Sequence, residues 1–272
     1  MTSKLIEIAY LAEAIAEENI TKSKVNLNNI ARKKKITIIY GHYQKAFLGE
    51  LVHEKRKFYL HVNLDLLSEK KSPRTRFTIS HEYGHFFIDD HRNKLMSGVS
   101  LSHSPNYSYY SRIPTEIEAN HFASHLLMPK TRFIKKAKKL EPGLNSVLSL
   151  KDVFDTSMEC TSIHYINLDV LPCMFIKWKP DLSYSYSSYS QSFSALTGIK
   201  GKPIIRINKG YLTDIFDSID NSIPKVEYVE EATTLSNWVA TIPPGSKRDL
   251  IGLEQTFKWG DYGGFTFLVF PQ

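Results

Sequence analysis

The sequence predicts an α+β fold: a small N-terminal β-sheet, a helix carrying His81-Glu82-Tyr83-Gly84-His85, a helical pair, and a smaller α+β C-terminal region. Three observations carry this expectation. Strand-like runs cluster between residues 36 and 63, helical periodicity dominates 72–168, and after Pro172 the pattern turns back to strands. A chain of 272 residues can hold one sizeable core and a smaller second unit, and 42% hydrophobic with 23% charged residues is ordinary globular composition.

Taken in order, residues 4–18 place Leu5, Ile8, Ala12, Ile15 and Ala16 on one side of an amphipathic helix. A short helix follows at 27–33. Strand-like runs then lie at 36–40, 47–53 and 58–63, the last two joined as a hairpin around Lys55-Arg56. Ser72-Pro73 supplies a cap and a first-turn proline for a helix running to about Asp89. Residues 91–114, with Gly98, Pro105 and many serines, show no clear period and read as the wall or lid of a cleft. The next helix spans 116–128 and stops at Pro129. Helices at 132–140, 146–155 and 158–168 follow. Strands are expected at 173–179, 203–207, 226–229, 238–242 and 265–270, and the Ser/Tyr alternation of 183–193 is either a solvent-facing strand or a linker. The expected division is 1–180 and 181–272, with no chemical motif in the second part.

Composition narrows the setting. No run approaches a membrane span, so a membrane is not among the expected partners. The first residues carry Glu7, Glu13, Glu17 and Glu18 in a helical pattern that an export signal would not tolerate. Together with only Cys160 and Cys173, this points to reduced thiols and a cytoplasmic location. The net charge of +7 comes with basic clusters at 32–35, 70–76 and 130–139. Solvated helix faces explain them; contact with DNA, or with a partner on DNA, is the sharper alternative.

The chemistry concentrates at H-E-x-x-H. Two imidazoles four residues apart share a helix face and can reach one metal ion, with Glu82 beside it. The competing reading is a pair of hydrogen-bonded core histidines. Gly84 in mid-helix costs about 1 kcal/mol relative to alanine, which close approach of another element would explain. A carboxylate from the second helix would complete the ligands. Glu116 and Glu118 point about 200° apart. Thr115 and Glu118 have capping-box spacing, whereas Glu116 shares its face with Ala119, Asn120 and Ala123, so Glu116 is the expected ligand. Asn120 is placed to hydrogen-bond a ligand imidazole. His121 and His125 lie about 140° and 180° around the helix from Glu116 and face elsewhere. His91 and His103 flank the loop, His103 reading first as a solvated loop histidine, and Cys160 near His164 reads as a buried thiol.

The run Arg76-Phe77-Thr78-Ile79-Ser80-His81-Glu82-Tyr83-Gly84-His85 resembles the ImmA/IrrE metallopeptidases. So does Glu116-Ile117-Glu118-Ala119-Asn120-His121-Phe122-Ala123-Ser124-His125-Leu126-Leu127-Met128-Pro129, close to that family's E-x-x-A-N-x-F-A-x-x-L-L-M-P signature. The resemblance covers about residues 25–170. It implies a zincin-like, specifically gluzincin-like, peptidase domain with His81, His85 and Glu116 as ligands and Glu82 as catalytic base. The implied cofactor is one divalent ion, zinc first, with manganese suited to similar donors. The implied partner is a protein substrate, a helix-turn-helix repressor, within a stress-response or mobile-element switch. The 146–168 helices correspond to a helix-turn-helix-like segment, but Asp152, Asp155 and Glu159 argue against direct DNA reading.

The expected reaction is metal-assisted peptide hydrolysis with Glu82 shuttling the proton. Substrate would enter as an extended strand beside the edge of the N-terminal sheet. Tyr107, Tyr109, Tyr110 and His103 are the candidates to stabilise the oxyanion. Two other functions compete: a non-catalytic metal-binding regulator that inactivates a repressor by contact, and a DNA-binding regulator.

Overall fold

The computed structural model describes residues 2–21, 23–67, 69–99, 113–219, 228–246, 249–258 and 263–270. The fold is mixed α+β and divides into two compact units. The first comprises Met1–Phe133 with Lys151–Cys160, and the second Ile134–Leu150 with Thr161–Gln272.

In the first unit, α1 (Ser3–Glu17) leads to the minimal hairpin β1 (Ile20–Thr21) and β2 (Lys24–Val25), then α2 (Leu27–Lys34). Asn26 caps α2 by accepting from the Asn29 amide at 3.0 Å. Next come β3 (Ile36–Gly41), β4 (Gly49–Glu54) and β5 (Lys57–Asn63), in sheet order β3-β5-β4. β3 runs parallel to β5, and β4 antiparallel to it, which leaves β4 as an outer strand. The β4–β5 hairpin turns on Lys55 and Arg56, both at positive φ (48° and 64°), as a two-residue turn matching the strand twist requires.

Past α3 (Leu64–Leu67), helix α4 (Pro73–Phe87) begins as Ser72 Oγ accepts from the Thr75 amide at 3.1 Å. It ends two residues before the expected Asp89, because Ile88 turns extended. There the expectation of an aperiodic stretch from 91 fails in part: α5 (Asp89–Met96) is a helix. Its apolar content is too small for a periodic signal, and Asp89 and Asp90 in the first turn instead favour it through the helix dipole. Residues 100–112, which hold His103, Tyr107, Tyr109 and Tyr110, lie outside the described residues.

Helix α6 (Pro114–Leu127) packs against both α4 and α1. It starts before Glu116, with Ile113 at the cap position and no side-chain cap bond. The Thr115–Glu118 capping box therefore does not form, and Glu118 is free for other work. Phe87 stacks on Phe122 with centroids 5.7 Å apart, and Tyr83 Oη donates to the Leu27 carbonyl at 2.8 Å. Three helices follow: α7 (Lys130–Ala137), α8 (Leu144–Phe154) and α9 (Met158–Asn167).

The second unit is built on a five-stranded antiparallel sheet in the order β7-β6-β10-β9-β8. Its strands are β6 (Cys173–Trp178), β7 (Tyr184–Tyr189), β8 (Val229–Thr234), β9 (Ile251–Lys258) and β10 (Gly264–Val269). The Ser/Tyr alternation is thus a half-buried edge strand. One face packs Met174, Ile176, Trp178 and Leu268 against α10 (Gln191–Thr197), α11 (Lys209–Ser218) and α12 (Leu235–Trp238). The opposite face stacks Phe175, Phe257 and Phe265 and receives Tyr165 against Phe267. The strand expected at 238–242 does not form: Trp238 ends α12, and Val239 makes only an isolated bridge to Ile205.

Candidate metal centre

The site is assembled on α4 and α6 by close contact of their backbones. A Cβ placed on Gly84 would lie 2.9 Å from Ala119 Cα and 3.3 Å from Ala119 Cβ, so the crossing admits nothing larger than glycine facing alanine. The turn before this crossing carries His81 and Glu82, the turn after it begins at His85, and Glu116 lies one turn before Ala119 on α6. His81, His85 and Glu82 are fully buried, and Glu116 is 3% exposed.

Three side chains converge. His81 Nε2 and His85 Nε2 lie 3.1 Å apart, with Glu116 Oε2 at 3.3 Å from the first and Oε1 at 3.5 Å from the second. Among the described residues, His81, His85 and Glu116 are the group whose ligand atoms cluster this way, all within 4.8 Å. The donor set fits a divalent metal in chemistry and in spacing. Zinc binds nitrogen and oxygen at about 2.0–2.1 Å, so a tetrahedron of such bonds has edges of about 3.3 Å. The three separations straddle that value.

The electrostatics agree. Burial opposes charge on His81, but its bond to Glu116 and the nearby Glu82 and Glu116 carboxylates outweigh this and hold its pKa above the ordinary value. For His85, burial wins, helped by the charge of His81, and its pKa falls below the ordinary value. Burial works against ionising Glu116, yet its contacts with His81 and then His85 bring its pKa far below the usual carboxylate range. Without a metal, the site thus holds an anionic carboxylate facing two imidazoles.

Around this group the neighbours fix ring orientation. Asn120 Oδ1 lies 2.8 Å from His81 Nδ1. On the other side His85 Nδ1 lies 3.1 Å from His91 Nδ1, and His91 Nε2 lies 2.9 Å from Glu118 Oε2. Lys4 of α1 closes the line, with Nζ 3.0 Å from Glu118 Oε2 and 3.2 Å from Asp90 Oδ2. His91, which the sequence places only at the flank of the loop, is 1% exposed: α5 folds it back against His85. Burial, followed by the charge of His85, pushes its pKa down to about 4, and His91 is neutral at neutral pH. Sequence reasoning missed this residue along with Glu118 and Lys4; the paired acids Asp89-Asp90 at a helix start were the available signal.

Glu82 points toward β4. A Cβ on Gly49 would stand 3.2 Å from Glu82 Cγ and 2.6 Å from Thr78 Cγ2, so the first residue of the outer strand lies directly on this turn of α4. The other histidines face elsewhere. His125 Nδ1 meets Glu13 Oε1 of α1 at 2.6 Å, and His121 packs at a tilt against His125 with centroids 4.5 Å apart. Cys160 is buried, and burial raises its thiol to about 12 despite a bond to Ser124, so it is no nucleophile.

Comparison with known proteins finds a family model that matches the part of the chain holding this site. Residues 49–163 match the IrrE N-terminal-like domain. No curated protein matches the chain. Among solved structures, a Mycobacterium tuberculosis transcriptional regulator shares the fold with a TM-score of 0.58 at 15% identity, covering 96% of this chain and 75% of that one. The matched segment contains β4, α4 and α6, and with them both histidines and the carboxylate: residues 49–163 are similar to the metallopeptidase-like domain of the ImmA/IrrE family.

Proposed function

We propose that this chain is a metal-dependent endopeptidase with a zincin-like layout, and that its substrate is a regulatory protein. The observation that carries the proposal is the buried His81–His85–Glu116 triangle, with its 3.1, 3.3 and 3.5 Å edges, beside a glutamate that the motif places between the histidines. His81, His85 and Glu116 would hold the ion, zinc being the first choice and manganese the alternative. When bound, such an ion supplies Lewis acidity toward a carbonyl and activates water near neutral pH.

The chain's own residues do the rest. Glu82 takes a proton from the attacking water at its carboxylate and returns it to the leaving amine nitrogen, so one group serves as base and then acid. Its setting against Gly49 puts the outer strand β4 alongside. An extended segment of substrate adding to β4 would align its main chain past Glu82 by backbone hydrogen bonds. Asn120 keeps His81 in place. His103, Tyr107, Tyr109 and Tyr110 stay the candidates for the oxyanion donor.

The family resemblance supports a helix-turn-helix repressor as substrate and a switch in stress or mobile-element genes as setting. A cytoplasmic location is part of the proposal and rests on the two unpaired thiols. Among the described residues no helix is long and apolar enough to cross a membrane. A second reading, a metal-binding regulator acting by contact alone, draws on the likeness to a transcriptional regulator. Glu82→Gln separates the two. The variant should bind zinc as the parent does and lose cleavage of a helix-turn-helix repressor substrate, whereas undiminished cleavage would remove Glu82 from the mechanism. Repressor inactivated without being cut would favour the second reading.

A further inference from the structure

The line of contacts behind His85 has a definite proton arrangement. Glu118 is paired with Lys4 and is a carboxylate, which only accepts hydrogen bonds. At 2.9 Å, His91 Nε2 must therefore carry the proton and donate to Glu118 Oε2. A His85 that binds a metal through Nε2 carries its ring proton on Nδ1, which lies 3.1 Å from His91 Nδ1. His91, with its own proton on Nε2 toward Glu118, accepts that proton at Nδ1. A neutral His85 protonated at Nδ1 keeps its lone pair on Nε2, the atom that faces His81 and Glu116.

From this geometry, we propose that His91 is a positioning residue: backed by Glu118 and Lys4, it accepts the His85 Nδ1 proton and holds the His85 Nε2 lone pair aimed at the metal position. The inference deepens the proposed metal site and rests on that reading for its function. Its counterpart is Asn120, which acts on His81 from the opposite side. The two ligand histidines are thus oriented by different elements, His81 by its α6 neighbour Asn120 and His85 through α5. Because Lys4 stands at the end of the line and also binds Asp90 on α5, the N-terminal helix α1 braces the arrangement. Partners of this kind fix tautomer and ring angle, and their loss weakens metal binding by about 10–100-fold.

The test uses the full chain and two readouts. Long-range 15N–1H NMR reports the tautomer of His81 and His85 in the metal-free protein, and chelator competition gives the zinc Kd. In the parent, both rings should be protonated at Nδ1. His91→Phe should disturb the His85 tautomer, leave His81 unchanged, and weaken zinc about 10–100-fold. His91→Asn puts an amide oxygen close to the place of Nδ1 and should recover most of that loss, a rescue that also checks folding. Glu118→Gln, as a second variant, should weaken zinc less than His91→Phe does. Parent-like zinc affinity and an unchanged His85 signal in His91→Phe would overturn the proposal. A parent whose metal-free His85 is protonated at Nε2 would overturn it as well. A parent with the expected tautomers that binds no zinc would instead refute the metal site and leave the proton arrangement standing.

Discussion

Replacing Gly84 by alanine tests the packing that brings the ligands together. The added methyl would sit 2.9 Å from Ala119 Cα, 3.2 Å from Ala119 O and 3.3 Å from Ala119 Cβ. Carbon atoms pack best at about 3.5–4.0 Å, so α6 would have to withdraw from α4 by about 0.6–1 Å. Overpacking of this size costs about 1–3 kcal/mol, and the better helix propensity of alanine returns about 1 kcal/mol. The net change in metal-free stability is therefore a loss of about 0–2 kcal/mol. The effect on the site should be larger. Functional constellations tolerate about 0.5 Å of displacement, and Glu116 moves with α6 while both histidines stay on α4. Zinc affinity should fall at least 10-fold. Denaturant unfolding of the metal-free protein and chelator competition for zinc measure the two quantities. A Gly84→Ala variant that is more stable by about 1 kcal/mol and binds zinc like the parent would show that the helix contact does not set the ligand geometry.

Two further outcomes follow from the surroundings. Asn120→Ala removes the 2.8 Å bond to His81 Nδ1 and should weaken zinc by about 10–100-fold, while Asn120→Asp, which keeps an acceptor there, should lose far less; chelator competition reads both. Cys160 is raised from 9.0 to about 12 by burial, and a raised folded pKa stabilises the fold below the unfolded value and is lost as pH rises through the folded one. Stability should thus decline from about pH 9 toward 12, and Cys160→Ala should flatten that decline in alkaline denaturant titrations; an unchanged slope would contradict the burial argument.

Much of the first unit was legible in the sequence because its signals are local. The cap at Ser72, the H-E-x-x-H spacing, and the small residues Ala119 and Ala123 following Glu116 each follow from helix geometry within a turn or two. Gly84 advertised the close crossing that Ala119 makes with it. His91 was not legible, because its role depends on the chain reversing at Ile88, and no period in the residues marks that reversal. Glu118 was misread as a capping residue because α6 begins at Pro114, earlier than its apolar pattern suggests. In the second unit β9 escaped notice for a different reason. Its buried residues include Glu254, Gln255 and Thr256, which are held by bonds from Tyr211 and Trp238 to Glu254, from the Leu144 amide to Gln255, and between Thr256 and Thr266. A strand buried through polar partners shows neither alternation nor an apolar run.

The most direct test of the account is anomalous X-ray scattering at the zinc edge from crystals grown with stoichiometric zinc. One strong peak per chain should appear within bonding distance of His81 Nε2, His85 Nε2 and a Glu116 carboxylate oxygen. A chain that takes up no zinc, or a peak away from these three side chains, would contradict it.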